Sequence, residues 1–159
     1  MSILNEKLDL FKATIYRQTM FAEFEKNAHD YVDSGNILTK DYLDDMYYDL
    51  NKTYFGPNVV IDEDIKYEWA RIPHFYTPFY VYQYATSLSI SCYVALNIIN
   101  KTPGFVEKYL EFLQSGGRDY PLEVLKIIDV DLKDTKVFES ALKDFKNTLD
   151  EFKKIYYEK

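Results

Sequence analysis

The sequence is poor in the residues that build disulfide frameworks, metal clusters and loop-rich folds. Its 159 residues include one cysteine, two histidines, five prolines and five glycines. The single cysteine, Cys92, excludes an internal disulfide and is typical of a reducing compartment. Neither His29 nor His74 stands in a His-Glu-x-x-His motif, so we predict no metal site within this chain.

Long apolar runs and a positive charge balance are also missing. The chain has 19 Lys and Arg residues against 26 Asp and Glu residues, a formal net charge of −7, whereas proteins that bind nucleic acid carry a basic face. No run reaches the roughly 18 apolar residues of a membrane span, and the first residues show no signal-peptide pattern. We therefore expect a cytoplasmic protein that binds neither nucleic acid nor a membrane.

The apolar residues that are present recur at three- and four-residue steps, which is typical of amphipathic helices. Thr39 stands where an N-cap is expected, Thr102-Pro103 resembles a second helix start, and Gly35, Gly56 and Gly116 are stop signals. Residues 58–78 are predicted to form an irregular connection with about one helical turn, and no segment shows strand alternation. We expect an all-α fold, a long-helix bundle forming a single domain over residues 1–159, with helices over 3–32, 40–55, 79–100, 103–115, 121–128 and 135–157.

Tyrosine is unusually frequent, with 16 copies, and the densest group lies in residues 71–85. If a helix begins after Pro78, then Tyr80 and Tyr84 share a face, Tyr82 points elsewhere, and His74 and Tyr76 lie just before the helix. Imidazole and phenol donors near a helix N-terminus can polarise a carbonyl and hold a developing oxyanion. The alternative is a tyrosine-rich helix packed at an interface, with His74 bonded to a backbone carbonyl.

Two further groups invite a chemical interpretation. Glu23 and Glu25 are two residues apart, so they fall on different helix faces; both are interpreted as surface charges, or one projects inward and pairs with Arg17. Cys92 lies among apolar helix residues and is interpreted as a buried structural thiol.

Several segments, taken in order, resemble the C-terminal part of oligoendopeptidase F, a zinc metallopeptidase family related to thimet oligopeptidase. They are RQTMFAEFE (17–25), Gly56, WARIPHFY (69–76), FYVYQYAT (79–86), FLQSGG (112–117) and Tyr120-Pro121. The resemblance runs over nearly the whole chain from about residue 8. Ser87 and Asp129 depart from it, because glycine is expected at both positions, and we expect helix-end or packing changes there.

The resemblance implies an all-α piece of a larger helical peptidase catalytic domain. In that family zinc is held by a His-Glu-x-x-His motif and a further Glu, and the region that carries them has no counterpart in this sequence. What the resemblance assigns here is the loop that covers the metal and the peptide: His74, Tyr80 and Tyr84 as catalytic residues, and Tyr76 and Tyr82 as substrate-binding residues.

The resemblance thus implies that the chain contributes to the zinc-dependent hydrolysis of short peptides and is inactive alone. Its expected partners are short peptides and either the zinc-bearing upstream half of such an enzyme or a second copy of itself. A different class of function also stays open: a non-catalytic helical module that binds peptides or a partner chain, or a remnant of such an enzyme.

Overall fold

The computed structural model describes residues 1–158, and every regular element of that range is helical. None of these helices combines the length and the apolar character needed to cross a membrane. The α-helices are α1 (Ser2–Phe11), α2 (Arg17–Asp33), α3 (Lys40–Phe55), α4 (Tyr82–Ile99), α5 (Phe105–Ser115), α6 (Pro121–Leu125) and α7 (Lys136–Tyr157). A π-helical segment, Lys12–Tyr16, links α1 to α2, and 3-10 helices cover Glu63–Arg71, Pro73–Tyr76 and Lys126–Ile128.

Most predicted helix limits are confirmed by their capping groups. The Thr39 hydroxyl accepts a hydrogen bond from the Tyr42 N–H at 3.3 Å and opens α3. Gly56 follows the last residue of α3 with φ at +74°, a value that glycine adopts without strain. The all-α prediction is therefore confirmed. In addition, α5 ends directly before Gly116, as predicted, and α7 begins within one residue of its predicted start.

Four features differ from the prediction. The single helix predicted over residues 3–32 is divided by the π-helical segment Lys12–Tyr16. α4 begins at Tyr82 rather than directly after Pro78, because Phe79 adopts a left-handed conformation with φ at +56° and interrupts any helix there. α5 is preceded by Gly104 in a left-handed conformation, while the Thr102 hydroxyl donates to Asn97 Oδ1 instead of capping the helix. The connection after α3 holds a nine-residue 3-10 helix, Glu63–Arg71, rather than a single turn.

Residues 12–85 form one compact unit. In it α3 packs against α2 and against the 3-10 helix Glu63–Arg71. The core is rich in aromatic rings: Phe24 meets Tyr47 at 5.2 Å between centroids and Phe75 at 5.0 Å. The buried apolar residues are Met20, Phe21, Phe24, Tyr47, Leu50, Ile72 and Val81.

Two buried carboxylates connect the elements of this unit, and each has a cationic partner. Glu68 accepts hydrogen bonds from Arg17 and from the Tyr47 hydroxyl, both at 2.7 Å, and also pairs with Arg71. Asp44 accepts one from Trp69 Nε1 at 2.9 Å and pairs with Lys40. Charged groups removed from water need such partners, so both carboxylates are compensated within the unit.

Residues 1–11 and those from 86 onward form the other unit. Here α1 packs against α7, with Phe11 and Phe145 rings 5.6 Å apart and Lys7 paired with Asp144 at 2.8 Å. Asp129, where the family resemblance led us to expect glycine, follows the 3-10 helix Lys126–Ile128 in a left-handed conformation with φ at +57°. The expected helix-end role of this position is therefore confirmed, while Ser87 lies within α4. The buried apolar cluster of this unit is Val94, Phe105, Leu125, Ile128, Val130 and Val137.

Candidate functional site

The loop that carries His74 is fixed by apolar anchors on both sides. Ile72 is buried before it, and the Phe75 ring after it packs against Phe21 at 5.3 Å and Phe24 at 5.0 Å. Pro73 opens the short 3-10 helix Pro73–Tyr76, since its ring already holds the required backbone angle. The imidazole between these anchors is half-buried.

His74, Tyr80 and Tyr84 lie together as three rings in mutual contact. The His74 ring stacks on Tyr80 with 5.6 Å between centroids and an interplanar angle of 2°. Tyr84 stands edge-on to both, at 5.8 Å from His74 and 5.5 Å from Tyr80. The Tyr84 hydroxyl oxygen lies 3.4 Å from His74 Nε2. We call these three residues the His/Tyr cluster.

The prediction that Tyr80 and Tyr84 lie on one face of the same helix is wrong. Tyr80 is not on the helix with Tyr84, because α4 begins two residues after Tyr80. The two phenols meet because the left-handed Phe79 turns the chain just before Tyr80, while Tyr84 lies in the first turn of α4. The partnership thus comes from the loop conformation rather than from helical spacing.

The phenol of Tyr84 is held in its protonated form. A hydrogen bond with Tyr80 raises the pKa of Tyr84 above its ordinary value, and partial desolvation and the charge of Tyr80 act in the same direction. A protonated phenol donates a hydrogen bond, so at neutral pH the cluster presents an O–H donor at the surface of the unit.

The other two candidate tyrosines lie differently. The Tyr76 hydroxyl donates to the Ala70 carbonyl oxygen at 3.2 Å, and its side chain is 74% exposed. Tyr82 is the first residue of α4 and is half exposed. Ring contacts join His74, Tyr80 and Tyr84, whereas the Tyr76 hydroxyl bonds to the backbone carbonyl of Ala70.

Glu25 is a residue that the sequence interpretation undervalued. Its carboxylate accepts a hydrogen bond from the Phe79 backbone N–H at 2.7 Å, and only 5% of the residue is exposed. The bond holds the left-handed residue that precedes Tyr80, and the His29 ring also contacts the Phe79 ring at 4.8 Å. The signal was present in the sequence, because Glu25 is one helical turn after Phe21 and so continues the apolar stripe of α2.

The remaining candidate groups take structural roles. Arg17 pairs with Glu68 rather than with Glu23 or Glu25, and Glu23 accepts a hydrogen bond from the Tyr54 hydroxyl at 2.7 Å. Burial raises the pKa of the Cys92 thiol, which disfavours the reactive thiolate. In residues 1–158 no three His, Cys, Asp or Glu side chains come together as a set that could hold a metal ion.

The chain is similar in sequence to known peptidases. Residues 1–144 match the model for peptidase family M3. The chain is 45% identical over 153 residues to oligopeptidase PepF of Bacillus subtilis strain 168. This match covers 96% of the chain and 23% of PepF. It is 43% identical over 154 residues to the group B oligopeptidase PepB of Streptococcus agalactiae serotype III strain NEM316, covering 97% of this chain and 26% of PepB.

Solved structures agree with these sequence matches. The crystal structure of oligoendopeptidase-F from Enterococcus faecium superposes with a TM-score of 0.96 at 43% identity, over 99% of this chain and 30% of that one. A putative peptidase from Chlamydophila abortus superposes with a TM-score of 0.88 at 38% identity, over 94% of this chain and 25% of that one. The chain spans about a quarter of the length of the relatives it matches.

Proposed function

The chain belongs to peptidase family M3, and on that premise we propose that it supplies the substrate-binding and oxyanion-stabilising residues of a zinc-dependent oligoendopeptidase that hydrolyses short peptides. The observation that supports the proposal is the His/Tyr cluster, in which His74, Tyr80 and Tyr84 converge from a loop and the start of α4.

Each member of the cluster has a chemical role in this proposal. The protonated Tyr84 phenol donates a hydrogen bond to the oxygen of a scissile peptide carbonyl, and the bond strengthens as negative charge develops there. His74 Nε2, 3.4 Å from the Tyr84 oxygen, orients that phenol or donates to the same substrate oxygen. The Tyr80 ring stacks on the imidazole and fixes its plane. Tyr76 and Tyr82, both more exposed, contact the peptide on either side.

Zinc is implied by the resemblance to oligoendopeptidase F and not by the side chains of this chain. Residues 1–158 offer no three-ligand cluster, and the sequence contains no His-Glu-x-x-His motif. These residues therefore do not fit a zinc site of their own. The proposal assigns the metal to the part of such an enzyme that this chain lacks, and predicts that the 159-residue chain alone is inactive.

A chimeric enzyme tests the proposal. The chain replaces the matching 153-residue region of the Bacillus subtilis oligopeptidase, to which it is 45% identical. We expect the chimera to cleave an internally quenched oligopeptide, and the isolated chain with added zinc to give no turnover. Chelator-sensitive cleavage by the isolated chain, or a folded chimera without activity, contradicts the proposal.

A second candidate function, a non-catalytic partner-binding module, is favoured by one surface. Val106, Leu110 and Leu113 are all about half exposed and follow one another at four- and three-residue steps along α5. Such a stripe is typical of a helix face that packs against another chain. Sedimentation of the isolated chain distinguishes the candidates when read beside the chimera: a stable dimer together with an inactive chimera supports the module, and a monomer with an active chimera supports the peptidase.

A further inference from the structure

A small cavity opens within the unit formed by residues 12–85, beside the loop that carries His74. Its volume is about 180 Å³. Four aromatic residues, Phe24, Trp69, Phe75 and Tyr76, are among its lining residues, and so are Glu25 and His29. Phe75 and Tyr76 directly follow His74 in the chain, so the cavity adjoins the proposed catalytic loop.

The charge of Glu25 distinguishes this cavity from the rest of the unit. Three carboxylates of the unit are buried, at 4% exposure for Asp44, 9% for Glu68 and 5% for Glu25. Asp44 pairs with Lys40, and Glu68 pairs with Arg17 and Arg71. Within residues 1–158, Glu25 has no Lys, Arg or His nitrogen within 4.0 Å.

From the part of the chain that the structure describes, Glu25 accepts one hydrogen bond, from the Phe79 N–H, which leaves unused capacity on its carboxylate. An ionised carboxylate presents about four acceptor positions, and burying it without a cation is unfavourable. A cation supplied from outside the chain would satisfy these positions. The chemistry of the walls agrees, because aromatic faces attract cations through the negative charge of their π-systems.

We propose that the cavity binds the basic side chain, arginine or lysine, of a peptide. The cationic group pairs with Glu25, and the aliphatic stem lies against Trp69 and Phe75. In naming a class of peptide, this inference rests on the proposed peptidase function. A basic residue held here sets the position of a peptide relative to the His/Tyr cluster, because Glu25 also holds the backbone next to Tyr80.

Binding is measured on the isolated 159-residue chain, so the result does not depend on catalysis. Trp69 is the single tryptophan and lines the cavity, and its indole N–H, bonded to Asp44, gives one NMR resonance that reports on occupancy. The ligands are acetyl-Ala-Arg-Ala-amide, the same peptide with citrulline, which has nearly the same shape without the charge, and the same peptide with phenylalanine. We expect the arginine peptide to bind at least about tenfold more tightly than either of the others, the size of a charge-assisted hydrogen bond.

Two variants locate the charge responsible. Glu25→Gln keeps an oxygen that can accept from the Phe79 N–H but removes the charge, so it should abolish the preference for arginine over citrulline. Glu23→Gln removes an equal charge two residues away, from an exposed side chain bonded to Tyr54, and should leave the preference unchanged.

Several results would overturn the inference. They are equal binding of the arginine and citrulline peptides, tighter binding of the phenylalanine peptide, or no shift of the Trp69 resonance with any of the three. All three comparisons use the unaltered chain, so they stand even if Glu25→Gln fails to fold. The failure of the peptidase proposal is seen separately, as a folded chimera that cleaves no peptide, whether or not the peptide contains a basic residue.

Discussion

The Tyr84 hydroxyl oxygen lies 3.4 Å from Nε2 of His74, ten residues earlier in the chain. The His74 loop is anchored in the core through Ile72 and Phe75, and Tyr84 is carried by the first turn of α4. In the proposed mechanism, the Tyr84 hydroxyl of this pair stabilises the negative charge that develops on the substrate oxygen, with little reorganisation during the reaction. A substitution at Tyr84 therefore tests the proposed oxyanion donor directly.

Tyr84→Phe in the chimeric enzyme should lower kcat by about 10²–10³-fold with little change in KM. The reason is that the substitution removes one hydroxyl donor to the transition state and leaves the ring contacts with His74 and Tyr80 in place. Steady-state kinetics on an internally quenched peptide measures the effect.

Tyr82→Phe is the matched control for that substitution. Tyr82 is two residues earlier and half exposed, and its proposed role is to contact the peptide. Removal of the Tyr82 hydroxyl should raise KM and leave kcat nearly unchanged. If Tyr82→Phe lowers kcat as much as Tyr84→Phe does, the assignment of the oxyanion donor to Tyr84 is wrong.

Glu25→Ala should lower the free energy of unfolding of the chain by about 1–3 kcal/mol, because it leaves the Phe79 N–H without its acceptor. Glu25→Gln keeps an acceptor oxygen and should cost less. Urea denaturation followed by circular dichroism measures both. Glu23→Ala, at an exposed position on the same helix, controls for the loss of a carboxylate, and a cost equal to that of Glu25→Ala would contradict the anchoring role.

Most of the helical architecture could be predicted because its signals are local. Thr39 caps α3 with its own hydroxyl, and Gly56 and Gly116 end helices in backbone conformations that glycine tolerates. The prediction that Thr102 caps α5 was wrong because its hydroxyl bonds to Asn97, near the end of α4. A local pattern cannot reveal which of two partners a hydroxyl selects.

The candidate site was less predictable because its geometry depends on contacts distant in sequence. Phe79 is held in a left-handed conformation by Glu25, 54 residues earlier, and this contact moves the start of α4 and the position of Tyr80. Nothing adjacent to Phe79 signals that conformation, since aromatic residues seldom adopt it. His74, Tyr80 and Tyr84 were nevertheless proposed together, from a family resemblance whose residues do lie close in space.

Glu68 should make the stability of the chain sensitive to acid. Burial raises the pKa of Glu68, but the hydrogen bonds from Arg17 and Tyr47 and the charges of Arg17 and Arg71 outweigh it and hold the pKa below the ordinary value of 4.5. The folded state thus binds fewer protons than the unfolded state near this pH. The stabilisation is complete above the unfolded pKa and is lost as the pH falls through the lower folded value.

Glu68→Gln should cost about 2 kcal/mol of unfolding free energy at pH 7 and flatten the decline of stability below pH 4.5. Urea titrations from pH 7 to pH 3 compare it with the parent chain and with Glu63→Gln, an exposed carboxylate at the start of the same 3-10 helix. A decline as steep in Glu68→Gln as in the parent chain would assign the acid sensitivity to other groups.

Asp129 provides a test of backbone strain that is separate from the candidate site. Its φ of +57° is costly for a residue with a Cβ atom, and its exposed carboxylate pairs with Lys108 at 2.6 Å. Alanine and glycine at this position both lose the ion pair, so the difference between the two variants reports the backbone alone. Asp129→Gly should be more stable than Asp129→Ala by about 1 kcal/mol in urea denaturation.

At Asp131, two residues later, the same pair of substitutions should give the opposite order. This residue has an ordinary negative φ, and both variants lose the same hydrogen bond from the Lys133 N–H. Glycine there adds freedom to the unfolded chain and relieves no strain, so Asp131→Ala should be the more stable variant by about 0.4–1 kcal/mol. If alanine is the more stable variant at both positions, residue 129 carries no left-handed strain, and the glycine expected there from the family resemblance reflects something other than the backbone.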